Sequence, residues 1–159
     1  MNAYFDKDSA FLSKMVAAAP ECLFFISAIS LGEIETNYLI CNRDPDVIVK
    51  CKQFIRETFL CGRDENSYLL SIDERSRERY ADVVSRLWKK NPPDSSKRRT
   101  EAHLVSVGVD VNDVWIFSTA WTYNLTLLTT DRMEVIRRVV PEVTVENWLV
   151  PERADTSQG

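Results

Sequence analysis

Four short apolar runs, separated by segments with a helical period, constrain this chain most. They are CLFFIS (22–27), SYLLSID (67–73), LTLLT (125–129) and VTVENWLV (143–150). CLFFIS, a continuous apolar run with aromatics, reads as a strand buried on both faces, and the other three read as further strands. Strands that alternate with helices predict an α/β chain with a mainly parallel sheet.

The intervening segments carry the helical period. SAFLSKMVAAA (9–19) puts Phe11, Leu12, Met15 and Val16 on one face, with Ser9 as a cap and Pro20 as the stop. SLGEIETNYLI follows the first strand, and residues 44–60 repeat apolar positions at Val47, Ile48, Cys51, Phe54, Ile55 and Phe59. ERSRERYADVVSRLWKK has the strongest stripe, Tyr80, Val83, Val84, Leu87 and Trp88. NPPDSSKRRTEA (91–102) reads as a polar loop, and further helices are expected over 113–124 and 132–139. Residues 1–150 form one expected domain, and 151–159 a polar, disordered tail.

Several function classes drop out early. The formal net charge of -4 argues against a generally basic nucleic-acid binder. Cys22, Cys41, Cys51 and Cys61 form no C-x-x-C pair and His103 is the single histidine, so a zinc site is disfavoured. The same scarcity disfavours Ser-His-Asp and Cys-His chemistry. The cysteines are expected to be free and mostly buried, in a reducing cytoplasm. No G-x-G-x-x-G or G-x-x-x-x-G-K-[ST] occurs. Lys14 interrupts the one signal-like run, and CLFFISAISL is about half the ~20 residues a membrane span needs. A cytoplasmic chain without export or membrane span is the expectation.

Three acids fall where strands give way to helices. Glu33 follows the first strand, Asp131 follows LTLLTT directly, and Asp113 opens VWIFSTAW. In open α/β sheets, ligands bind beyond the carboxyl ends of the strands. Gathered carboxylates repel, and a cation relieves the repulsion. An oxygen-only donor set suits Mg²⁺ or Mn²⁺, which polarises a phosphate and lowers the pKa of bound water. Thr129 and Thr130 are placed to hold a metal-bound water or a phosphate oxygen. The bland reading is capping: Ser30-x-x-Glu33 and Asp131-x-x-Glu134 have the form of capping boxes, and Asp113 or Asn112 that of an N-cap or first-turn acid.

Arg75, Arg77 and Arg79 on one helix and Lys97, Arg98 and Arg99 in the loop are either phosphate contacts or solvated surface. Trp115 and Trp121 read as core or dimer interface rather than base-stacking platforms.

The stretches FISAISLGEIE, YLLSIDERSRERYADVVSRLW and VNDVWIFSTAWTYNLTLLTTDRMEVI with TVENWL together resemble the PIN domain, in particular the VapC-type toxin ribonucleases. The last is the most specific: an Asp opening an apolar, alanine-containing helix, then a strand, then Thr-x-Asp. The resemblance implies a three-layer α/β/α sandwich and Mg²⁺- or Mn²⁺-dependent RNA cleavage by the toxin of a toxin–antitoxin pair. It also implies an inhibiting antitoxin and a homodimer. By position, Glu33, Asp113 and Asp131 match the family's acids, and Thr129 the hydroxyl residue before the last acid. The N-terminus departs from the pattern. The family opens with a strand ending in Asp, whereas AYFDKDSAF here reads like the sequence that follows that strand. Either the strand and its acid are absent, which is the preferred reading, or Asp6 replaces the acid. Absence would expose the flanking strand edges and weaken metal binding. The alternative function is therefore a truncated or inactive PIN-like domain that only binds protein or RNA. An unrelated α/β binding module whose acids are helix caps is a third.

Overall fold

The structure, a computed structural model, describes residues 9–40, 45–57, 68–93 and 100–148. Asp6, Cys41, Cys61, Lys97, Arg98, Arg99 and the tail fall outside the described residues.

Helices and short strands alternate. The order is α1 (Ser9–Ala18), β1 (Ile26–Ser27), α2 (Ala28–Ile40), α3 (Pro45–Ile55), β2 (Leu69–Leu70) and α4 (Glu74–Lys90). Then follow α5 (Thr100–Ser106), α6 (Val111–Thr122), β3 (Leu127–Leu128), α7 (Glu134–Arg137) and β4 (Val145–Glu146). The chain is α/β with short parallel strands, and it departs from the sequence expectation in how those strands associate. β1 pairs in parallel with β2, Ile26 opposite Leu69, and β3 pairs in parallel with β4, Leu127 opposite Val145. Among the described residues these are two separate ladders, not one sheet. Ile26 N–H donates to the Tyr68 carbonyl (2.9 Å), and Leu127 and Thr129 N–H donate to Thr144 (2.9 Å) and Glu146 (3.0 Å). Among the described residues, β1 and β3 are thus each paired along one edge.

Two hydrophobic clusters match the two ladders. The larger joins Val83 and Leu87 of α4, Leu104 of α5, Val114 and Phe117 of α6, and Ile136 and Val140, with Leu127 and Val145 against it. The smaller is Ile26, Tyr38 and Ile55, with Phe24, Leu31, Ile34 and Leu69 around it. α4 forms because Asp73 caps it, accepting from Ser76 N–H at 2.7 Å, and because its apolar stripe meets α6. Tyr80 stacks on Trp115, with centroids 4.0 Å apart and planes at 17°. α6 is buried even on its polar side. Ser118, Thr119 and Thr122 direct their hydroxyls to the carbonyls of Val114, Trp115 and Ser118 at 2.6–2.9 Å, so no hydroxyl is stranded.

Three expectations are corrected. The segment read as a loop over 91–102 enters α5 at Thr100, because His103 and Leu104 are buried against the larger cluster. The helix expected over 132–139 is only α7. Cys22 is free but exposed rather than buried. No helix among the described residues is long and apolar enough to cross a membrane.

His103 is 2% exposed, and neither ring nitrogen has a hydrogen-bond partner among the described residues. Its ring lies edge-on to Trp88, at 4.7 Å between centroids. An unsatisfied buried polar group costs about 1–3 kcal/mol. His103→Leu is accordingly expected to raise the stability measured by urea unfolding by about 1 kcal/mol. A loss instead would mean that the Trp88 contact outweighs the orphaned nitrogens.

Candidate active site

None of the three acids is the N-cap of a helix, although Asp113 is the first-turn acid that its position allowed and Asp131 is a partial exception. At the start of α2 the cap is Ser27, whose Oγ accepts from Ser30 N–H at 2.9 Å. Glu33 lies a turn further on, exposed, and its Oε1 accepts from Asn112 Nδ2 at 2.8 Å. That bond ties α2 to the start of α6. At α6 the cap is Asp110, which accepts from Asn112 N–H at 2.7 Å. Asp113 is a half-buried first-turn acid that the cap does not need. Neither Asp110 nor Asn112 was singled out as a site residue by sequence reasoning, although the spacing D-x-N-D carried the signal.

Asp131 is the partial exception. Its N–H donates to Thr129 Oγ1 and its Oδ1 accepts from Met133 N–H, both at 3.1 Å. This is an Asx turn, not the box with Glu134, which pairs instead with Arg138 at 3.2 Å. The turn leads into Met133, buried and left-handed at φ 42, which starts α7 without a side-chain cap. Met133 is not a residue type that favours this region, so the turn is held by its surroundings. Thr129 closes the turn through its oxygen, while its N–H belongs to the β3–β4 ladder. Its hydroxyl hydrogen can still be donated.

The structure brings Glu33, Asp113, Thr129, Thr130 and Asp131 to the border of one groove of about 680 Å³. Asp113 records their proximity electrostatically. Partial burial first, then the charges of Asp131, Asp110 and Glu33, push its carboxyl up from the ordinary 3.8 to about 6. Opposite charge placed here would relieve that repulsion.

The donor chemistry fits a hard divalent cation, since the convergent atoms are all oxygens. No group of three or more acidic, histidine or cysteine side chains among the described residues is drawn in as a ready ligand set. Mg²⁺ commonly takes one or two carboxylates and keeps several waters, which Asp113 and Asp131 would meet.

The basic helix face is engaged with its own surroundings. Arg77 pairs with Glu74 at 3.2 Å. Arg79 and Arg86 both place guanidinium groups over Trp121, at 4.3 and 4.8 Å. Arg75 donates to the Thr122 carbonyl at 3.3 Å. Trp121 borders the larger cluster, on the side of the readings that put it in packing. Nearby, hydrogen bonds from Ser76 and Tyr123, with Arg75 adding charge, hold Asp73 down at about 2.

No family model and no curated protein matches the chain. Among solved structures, it shares its fold with a chain of the crystal structure of VapBC2 from Rickettsia felis bound to a DNA fragment from their promoter. The superposition has a TM-score of 0.61, covers 92% of this chain and 91% of that chain, and pairs 18% identical residues.

Proposed function

We propose that this chain is a PIN-like endoribonuclease of the VapC type, the toxin of a toxin–antitoxin pair, that cleaves RNA phosphodiester bonds with Mg²⁺ or Mn²⁺. The observation that carries this reading is Asp113, pushed up to about 6 by burial and by Asp131, Asp110 and Glu33 on a shared groove. Asp113 and Asp131 would hold the ion, Glu33 would join through the Asn112 link, and Thr129 would donate to a water or phosphate oxygen. Bound there, the ion supplies a lowered pKa for water and a polarised phosphate. The fold shared with a chain of a VapBC2 structure supports a VapC-like reading with an antitoxin protein as partner. A homodimeric state and a cytoplasmic location belong to the same proposal. On this view the two ladders are halves of one layer in an α/β/α sandwich.

A second reading, an inactive PIN-like domain that binds protein or RNA, is favoured by one observation. The three carboxylates are not drawn together as a ligand set.

The test is cleavage of a fluorophore-labelled single-stranded RNA by the purified chain in Mn²⁺ or in EDTA, with thermal unfolding in both. Mn²⁺-dependent, EDTA-sensitive cleavage with a Mn²⁺-dependent rise in melting temperature supports the enzyme. Neither effect at millimolar Mn²⁺ leaves the inactive domain.

A further inference from the structure

We propose that Asn112 is a positioning residue for the metal site: its side-chain amide holds the Glu33 carboxylate at the groove without neutralising it. This role rests on the nuclease reading and adds to it a residue that does not itself border the groove.

Glu33 needs an anchor that keeps its charge. It is exposed, on a long side chain with several rotatable bonds, and Asp113, Asp131 and Glu146 border the same groove. Like charges drive such a side chain out into water. A Lys or Arg partner would hold it, but would also cancel the charge that a cation needs. Among the described residues no Lys or Arg pairs with Glu33 or borders the groove. Asn112 supplies the neutral solution. Its Nδ2 donates to Glu33 Oε1 at 2.8 Å. A bond from an amide to a carboxylate is strengthened by the charge and leaves that charge in place. It also uses one of several acceptor sites on the two oxygens, so the carboxylate keeps others to offer.

The local structure fixes Asn112 for this task. Its backbone N–H donates to Asp110 Oδ1 at 2.7 Å, so the residue is held at the capped start of α6. The next residue is turned by roughly 100° around the helix, which lets Asn112 reach α2 while Asp113 borders the groove. The two ends of the bond belong to different clusters. Leu31 and Ile34 lie on either side of Glu33 and pack against the smaller one. Val114 and Phe117 follow Asn112 in the larger one, which also takes in Met133, two residues after Asp131. Asp113 and Asp131 are therefore supported by the larger cluster, and Glu33 by the smaller. The Asn112 bond brings the third acid to the other two across that division, and the charge of Glu33 is among those that act on Asp113.

Two substitutions separate the tie from the charge. Glu33→Gln keeps the tie, since an amide oxygen still accepts from Asn112, and loses the charge. Asn112→Ala keeps the charge and loses the tie. In EDTA, hydrogen–deuterium exchange in the part of α2 around Glu33 should rise in Asn112→Ala and stay at the wild-type level in Glu33→Gln. Mn²⁺ affinity, read by titration calorimetry on the full chain, should fall about tenfold or more in each. The double variant should bind Mn²⁺ as Glu33→Gln does, within about twofold, because Asn112 has no charge left to position. Wild-type Mn²⁺ affinity in Asn112→Ala overturns the proposal. So do losses that add in the double variant, since Asn112 would then act through the start of α6 and not through Glu33. A wild type that binds no Mn²⁺ at millimolar concentration fails at the earlier step: it overturns the nuclease reading, and this role with it.

Discussion

Asp113→Asn is expected to lower Mn²⁺-dependent RNA cleavage by at least ~100-fold while raising the stability of the metal-free chain at pH 7.5. The first effect follows from the proposed role. Losing an outer-shell partner already costs about 10- to 100-fold in affinity or activity, and a ligand carries more. The second effect follows from linkage. Asp113 titrates near 3.8 when unfolded and near 6 in the folded chain. A raised carboxyl pKa favours the folded state fully below about 4, and that contribution is lost as pH rises through about 6. Asparagine has no such loss. At about 1.4 kcal/mol per unit the displacement would be worth ~3 kcal/mol, and solvent screening of a half-exposed group brings it to about 1 kcal/mol. Asp73 acts with the opposite sign. Held down at about 2, it contributes stability above about pH 4 that is lost as pH falls toward 2. In EDTA the wild-type curve should therefore rise from pH 2 to 4 and fall from 4 to 6, and the variant should keep the rise without the fall. Urea unfolding at pH 2, 3, 4, 5, 6 and 7.5 reads this directly. Mn²⁺ at pH 7.5 should stabilise the wild type and leave the variant unmoved. A variant less stable than wild type at pH 7.5 would give Asp113 a structural task and remove the support for its catalytic one.

How much was legible in the sequence depended on how local the cause was. The amphipathic stripe of α4 is local, and its buried positions Val83 and Leu87 are the ones its spacing marked. The convergence of Glu33, Asp113 and Asp131 on one groove was legible because each follows or opens an element whose direction the α/β pattern fixes. Their local jobs were not. Ser27 and Asp110 cap the helices for which Ser30 and Asp113 or Asn112 are the candidates by spacing, because each helix begins two or three residues earlier, and Asp113 takes its other reading, a first-turn acid. α5 was hidden by the polar residues ahead of it, and only its packing through His103 and Leu104 reveals it. The division into two ladders is the least local feature. Strand pairing is fixed by neighbours distant in sequence, and four apolar runs look the same whether they share one sheet or two.

Phe117→Ala is expected to cost about 3–5 kcal/mol, the usual range for truncating a buried phenylalanine. Against the 5–15 kcal/mol of an ordinary domain, such a loss approaches global unfolding. Phe117 is 0% exposed and sits in the cluster that joins α4, α5, α6 and α7. Ile26→Ala removes a side chain of the same burial class, yet the expected pattern differs. The smaller cluster has three buried members and ties together only α2, α3, β1 and β2. Three buried side chains do not balance the chain entropy of those elements, so the smaller cluster depends on the larger through contacts such as Glu33 with Asn112. Phe117→Ala should then lower amide protection across both clusters. Ile26→Ala should lower it in α2 and α3 while α4 and α6 keep theirs, a sub-global opening of one cooperative unit. Hydrogen–deuterium exchange with peptide-level mass spectrometry separates the two patterns. Equal loss throughout in Ile26→Ala would mean that the ladders and their clusters unfold as one unit, and that the gap between them is not an energetic boundary.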